Sequence, residues 1–253
     1  EAIQLANSKI DEIRSYGLQV AWNQKWRNYD ISDTYEPGSP SKIFTVAAAL
    51  EEGVISPNDT FYCDGYQEVA GHQIKCTAFR KGGHGMLTVA EALMVSCNDA
   101  LMQMSYLIGP ANFSRYQQIF NFGLKTNIDL PGEARTDSLI YTEDQLSTIN
   151  LATNSFGQSY NVTMIQMITG YCSLINGGKY YQPHVVDKIQ DANGNSVQTI
   201  DPTLVKETVS EETSATIRQY LKGVVDNGSG KKAKVDGYSM GGKTGTAQKL
   251  PRS

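Results

Sequence analysis

The stretch Glu36–Gly53, EPGSPSKIFTVAAALEEG, decides how this chain is read. Pro37-Gly38 is a turn signal. Directly after it, Ile43, Phe44, Val46, Ala47 and Leu50 recur at helical spacing, so Ser39 to Glu52 reads as a strongly apolar helix. Pro40 suits the first turn, where a missing N–H costs nothing, and Gly53 ends the helix. Ser39 and Lys42 lie three positions apart at the helix start and therefore share a face. A serine hydroxyl becomes a nucleophile only when a base takes its proton. A lysine can be that base if its pKa falls from ~10.4 toward neutrality, which takes roughly 4 kcal/mol of differential stabilisation of the neutral amine. Burial against the apolar helix and a second nearby cation are the two physical means.

Two further stretches complete the pattern. In Ser96-Cys97-Asn98, an extended segment would turn Ser96 and Asn98 toward one cleft and Cys97 backward. Ser96 would relay a proton to the leaving group, and Asn98 would hold a substrate amide and seat Lys42. The second stretch is Lys243-Thr244-Gly245-Thr246, inside a segment, Gly237 to Lys249, that reads as a strand. Gly241, Gly242 and Gly245 permit close approach of a ligand. Lys243 is the second cation, Lys243 and Thr244 suit a substrate carboxylate, and the backbone N–H groups of Ser39 and Thr246 suit a developing oxyanion. A Ser-x-x-Lys alone arises often by chance. The three stretches in this order describe a serine acyl-transfer site that uses lysines in place of histidine.

The remainder of the chain frames that site. Its 253 residues suit one large domain, read as a single unit over 1–253. Within it, 38–176 is mainly helical with a loop-rich insert at 54–86, and 177–253 carries the sheet. Helices are expected over 1–20, 89–96, 99–108, 112–122, 142–152, 162–176 and 210–225, with a hairpin loop at Asp191–Asn195. A net charge of −4 and the lack of a basic stripe argue against nucleic acid as a partner. Lys231, Lys232 and Lys234 read as a solvated hairpin tip. No apolar run approaches the ~18 residues of a membrane span. Trp22 and Trp26 are expected in the core or lining a groove, and Cys172 as a buried thiol.

Cys63, Cys76, His84 and Cys97 bring three thiols and an imidazole together in the insert and at the second motif. Their gaps are wider than those of short zinc motifs, so three readings stay open: a structural zinc site, a Cys63–Cys76 disulfide, or free thiols. The insert is poor in core-forming residues and needs a staple. Four protein ligands would leave a metal no open position, which makes such a site structural and ties metal binding to folding.

The segments SDTYEPGSPSK (32–42), GHGMLTVAEALMVSCN (83–98), NIDLPGE (127–133), SFGQSYNVTMIQM (155–167) and GGKTGTAQK (241–249) resemble the transpeptidase domain of a class B penicillin-binding protein, in particular its clostridial-type cell-division and sporulation members. The resemblance implies an α/β (α+β) fold, an antiparallel sheet flanked by helices with an all-helical subdomain. That sheet is expected to be incomplete here, because the family places strands before the nucleophile helix and two strands and a helix after the Lys-Thr-Gly strand. The resemblance implies that Ser39 attacks the D-Ala-D-Ala end of a peptidoglycan stem peptide, that an amine on a neighbouring strand takes the acyl group, and that β-lactams acylate the same serine. It implies a location on the outer face of the bacterial membrane, an N-terminal anchoring helix outside this chain and a glycosyltransferase partner. A minority of class B members carries a metal at the matching Cys/His positions, which favours zinc. A serine β-lactamase and a non-catalytic β-lactam sensor domain are the rival readings.

Overall fold

The computed structural model describes residues 2–247. In chain order the elements are α1 (Ala2–Trp26), α2 (Tyr29–Ser32), β1 (Thr34–Tyr35), α3 (Lys42–Glu51), β2 (Thr60–Cys63), β3 (Tyr66–Val69), β4 (His72–Lys75), β5 (Gly85–Thr88), α4 (Val89–Met94), α5 (Asn98–Ile119), α6 (Thr148–Asn154), β6 (Val162–Thr163), α7 (Met164–Ile175), β7 (Lys179–Tyr181), β8 (Lys188–Gln190), β9 (Ser196–Thr199), β10 (Leu204–Glu207) and α8 (Glu211–Asp226). The strands form five antiparallel pairs, β1 with β6, β2 with β5, β3 with β4, β7 with β10 and β8 with β9.

α3 is the axis of the core. It is apolar all round, as a helix must be when neighbours cover every side. Ile43, Val46, Ala47 and Ala49 have no exposed surface. Phe44 meets Phe120, Phe122 and Tyr171 edge-on, with centroids 5.0, 4.9 and 5.3 Å away. α4, α5 and α8 pack around it. Local chemistry sets the helix starts. Thr88 and Glu91 form a capping box on α4, Thr163 and Gln166 do the same on α7, and Ser210 caps α8. The Ser210 N–H and hydroxyl also donate to the Glu51 carboxylate at the far end of α3, which locks the two helices together.

The two helices expected at 99–108 and 112–122 are present as the two arms of α5, separated at Gly109-Pro110, where Gly109 takes a non-helical φ of 74° and Pro110 lacks the N–H that would continue the ladder. Other expectations need correction. The segment expected as a strand at Gly237–Lys249 has no ladder over residues 237–247, and Gln248 and Lys249 lie outside the described residues. Strand propensity alone does not make a strand. A ladder needs a neighbour for its N–H and C=O groups, and the bond from Gly242 N–H to the Leu221 carbonyl goes to a helix. Cys172 is exposed on α7 rather than buried. Trp22 and Trp26 stack on each other, centroids 5.7 Å apart, on the exposed face of α1. Lys231–Ala233 is a short 3-10 turn rather than a hairpin tip.

Candidate active site

Three segments meet at the N-terminal end of α3. Ser39–Ser41 forms a 3-10 turn that runs directly into the helix. This turn is held from behind by two phenols. Tyr171 donates to the Pro40 carbonyl at 2.8 Å, and Tyr160 shares a 2.6 Å hydrogen bond with Ser41 Oγ. Burial raises both phenol pKa values, so each stays neutral. Gly38, with φ 62°, bonds through its N–H to the Gly157 carbonyl. A Cβ on Gly157 would collide with the Gly38 carbonyl. Glu36 ties the same junction by accepting from the Ser159 N–H at 2.8 Å.

The second segment reaches the site by a route the sequence did not suggest. Ser96 is not extended: it follows α4 in the left-handed region at φ 56°, Cys97 caps α5, and Asn98 is the first residue of that helix. The sharp reversal turns Ser96 and Asn98 toward Lys42 and Cys97 away. The fully buried Lys42 Nζ donates to Asn98 Oδ1 at 2.7 Å, to the Ser96 carbonyl at 2.7 Å and to Ser96 Oγ at 3.0 Å. Asn98 is oriented in turn by Nδ2 donating to the Lys75 carbonyl on β4 at 3.3 Å.

The third segment, residues 243–247, lies across the first. A Cβ on Gly38 would strike the Thr246 carbonyl, and one on Gly245 would sit 3.2 Å from Pro40. Lys243 Nζ donates to Ser96 Oγ at 2.8 Å, and Ser96 Oγ lies 3.1 Å from Ser39 Oγ. Thus Ser39, Ser96, Lys42 and Lys243 form one hydrogen-bonded chain with Ser96 Oγ at its centre. Desolvation, then the nearby Lys243 ammonium, push Lys42 down to about 7, and desolvation pushes Lys243 down to about 8. Near neutral pH the pair therefore holds a free amine lone pair beside two hydroxyls. Thr244, Gly245 and Thr246 follow Lys243 along the open side of the cleft.

Cys63, Cys76, His84 and Cys97 also come together, and their ligand atoms all lie within 4.8 Å of one another. Sγ of Cys76 is 3.7 Å from Sγ of Cys97, and Nδ1 of His84 is 3.6 Å from Sγ of both Cys63 and Cys76. A tetrahedral zinc with bonds of ~2.3 Å to sulfur and ~2.0 Å to nitrogen would set edges of about 3.8 and 3.5 Å. The residues fit that ion. All four cysteines of the chain are free thiols. The Cys97 thiol and backbone N–H groups, that of Asn98 among them, hold the Cys76 pKa well below the usual thiol range. His72, by contrast, is exposed on β4, and His184 bonds through Nδ1 with the Val186 carbonyl near the surface.

The sequence did not single out Lys75, Ser41, Tyr171 or Ser229 in this neighbourhood. Lys75 acts through its carbonyl, which no motif records. Ser41 and Tyr160 find each other across 119 positions.

Residues 3–253 match the family described as "Penicillin binding protein transpeptidase domain". Stage V sporulation protein D of Bacillus subtilis is 39% identical over 226 residues, 88% of this chain and 34% of that protein. Penicillin-binding protein PbpB of Mycolicibacterium smegmatis is 28% identical, over 99% of this chain and 39% of its own length. Among solved structures, the D,D-transpeptidase domain of a peptidoglycan glycosyltransferase from Eggerthella lenta superposes with a TM-score of 0.81 at 27% identity, covering 93% of this chain and 61% of that one. Penicillin-binding protein 3 of Mycobacterium tuberculosis, complexed with aztreonam, gives 0.79 at 30% identity, covering 88% and 51%. The chain spans little more than a third of the length of the first two relatives.

Proposed function

The chain belongs to the penicillin-binding protein transpeptidase domain family, in its class B branch, and from that premise we propose that it carries the acyl-transfer site of a peptidoglycan D,D-transpeptidase that β-lactams acylate at Ser39. The observation that carries the reading is the hydrogen-bonded chain from Ser39 through Ser96 to both lysines.

The chemistry follows from that chain. Neutral Lys42 takes the Ser39 proton, directly or through Ser96 Oγ, as Ser39 Oγ attacks the carbonyl of the penultimate D-Ala. The backbone N–H groups of Ser39 and Thr246 receive the oxyanion, a term of about 3–4 kcal/mol per donor. Lys243 and Thr244 hold the terminal carboxylate, and Gly245 lets the peptide lie close to the backbone. Ser96, bonded to both amines, passes a proton to the departing D-Ala nitrogen. Asn98, its side chain fixed between Lys42 and Lys75, holds the substrate amide. An amine from a neighbouring stem peptide then attacks the ester, with Lys42 again as base.

Cys63, Cys76, His84 and Cys97 would hold zinc as a structural ion. Bound there, it supplies a rigid cross-link between the insert and the Ser96–Asn98 turn and no reactive position. The similarity to a sporulation protein supports a place in the sporulation and division group. The longer relatives support a larger parent protein; an anchoring helix in the membrane, a place for this domain on its outer face and a glycosyltransferase partner are part of the proposal alone.

Intact mass spectrometry after incubation with penicillin tests the reading. The expected result is one stable adduct per chain, absent in Ser39→Ala. An unmodified wild type, or an adduct that persists in the variant, overturns it.

A further inference from the structure

The turn Asp226-Asn227-Gly228-Ser229-Gly230 follows α8 and carries no motif by itself. In the fold it is pinned against α4, the helix that delivers Ser96. The Ser229 N–H donates to the Met94 carbonyl at 2.8 Å, and a Cβ on Gly228 would lie 2.6 Å from that same oxygen. Gly230 donates back to the Val224 carbonyl of α8 at 3.0 Å. These contacts fix the backbone on both sides of Ser229 and bring its side chain to the third segment of the site. Ser229 Oγ lies 3.0 Å from Thr244 Oγ1, and the Lys243 ammonium is 3.4 Å from the same Thr244 oxygen.

Two exposed hydroxyls and an ammonium are thereby gathered at one point of the cleft. Bonded to each other, the hydroxyls use one donor and leave the other proton without an acceptor among the described residues. A carboxylate placed between them accepts from both hydroxyls while Lys243 balances its charge, and charge-assisted bonds of this kind are the strong ones. We propose that Ser229 is a specificity-determining residue, the third group with Lys243 and Thr244 that recognises the terminal carboxylate of the substrate. This rests on the transpeptidase reading above and assigns a role to a residue outside its three motifs.

The test compares second-order rate constants for acylation of the whole chain by a penicillin and by its methyl ester, in the wild type, Ser229→Ala and Ser229→Thr. One lost hydrogen bond to a charged group corresponds to about tenfold, so the acid-to-ester ratio falls about tenfold in S229A. S229T keeps the hydroxyl and keeps the ratio within about threefold of the wild type. An unchanged ratio in S229A, or acid and ester rates falling together, overturns the role of Ser229 while the wild-type adduct leaves the transpeptidase reading standing. A fall in S229T as large as in S229A also overturns it, because packing of the turn would then be the cause. No adduct in the wild type overturns both.

Discussion

Replacing Lys243 with alanine should move the pH dependence of acylation, because Lys243 acts on Lys42 as a charge. Both ammonium groups bond to Ser96 Oγ, at 2.8 and 3.0 Å, which places them roughly 5 Å apart. Two unit charges at that distance, with an effective dielectric of about 20, repel by about 3 kcal/mol. Lys243 faces the open cleft, and solvent screening brings this to the order of 1.5 kcal/mol, or about one pKa unit. Burial is the larger cause of the Lys42 shift and remains in the variant. The sign follows directly: Lys42 is active when neutral, so wild-type acylation rises with pH through about 7. In K243A the midpoint moves alkaline, toward about 8. Acylation by a fluorescent penicillin, followed by stopped flow from acid to alkaline pH, reads the midpoint separately from the amplitude, which drops because the Ser96 proton relay loses a partner. A midpoint that stays in place or moves acid refutes the claim that the two amines are coupled. A wild-type profile flat across neutrality refutes Lys42 as the base.

If the proposed zinc ties the insert to the Ser96–Asn98 turn, treating the purified chain with a strong chelator should lower the thermal midpoint by more than about 5 °C and slow acylation in parallel. Metal analysis finding no zinc, or chelation changing neither quantity, rejects the site. G157A should cost about 3 kcal/mol or more in urea unfolding, because φ is +87° and the added Cβ meets the Gly38 carbonyl. G53A, at φ +65° with open space around it, should cost only about 1 kcal/mol. Equal costs would mean that the Gly38–Gly157 contact is looser than described. At the left-handed Ser96, S96G should be more stable than S96A by about 1 kcal/mol, the reverse of the helix order, with acylation severely reduced in both. If the alanine variant is the more stable, the backbone there is not left-handed.

The grouping of the candidate site residues was legible in the sequence because it depends on residue types at fixed local offsets. Ser39 and Lys42 share a helix face whatever surrounds them, and the apolar run behind them announces its own burial. The thiols and imidazole were legible as a set of ligands, though their spacing left open what they do, since closure depends on how β2, β4, β5 and the second motif pack. What stayed hidden was non-local. Ser229 sits in a turn whose composition explains itself without a function. Its meaning comes from Met94 and Thr244, both distant in sequence. The strand reading at 237–249 failed for a related reason: alternation and glycine content describe a segment able to pair, and pairing depends on another segment. The extended reading of Ser96–Asn98 reached the right side-chain directions through the wrong backbone, because a left-handed residue followed by a helix cap separates alternate side chains much as a strand does.

That accident of geometry explains why the Cys/His cluster and the acyl-transfer site cannot be treated as separate parts. Ser96 reverses the chain, Cys97 turns back to within 3.7 Å of Cys76, and Asn98 donates its N–H to Cys76 Sγ while its side chain spans Lys75 and Lys42. Lys75 and Cys76 are adjacent, so one short piece of the insert holds both the sulfur that fixes Cys97 and the carbonyl that fixes Asn98. A loosened insert would let the Asn98 carboxamide rotate, and the fully buried Lys42 would lose the Asn98 Oδ1 acceptor. An unsatisfied buried amine costs about 1–3 kcal/mol, enough to draw the side chain away from Ser39. Holding the proposed base in place would be the physical reason for a staple at the four Cys/His residues. It also makes the insert's fold a condition of the chemistry rather than an appendage to it.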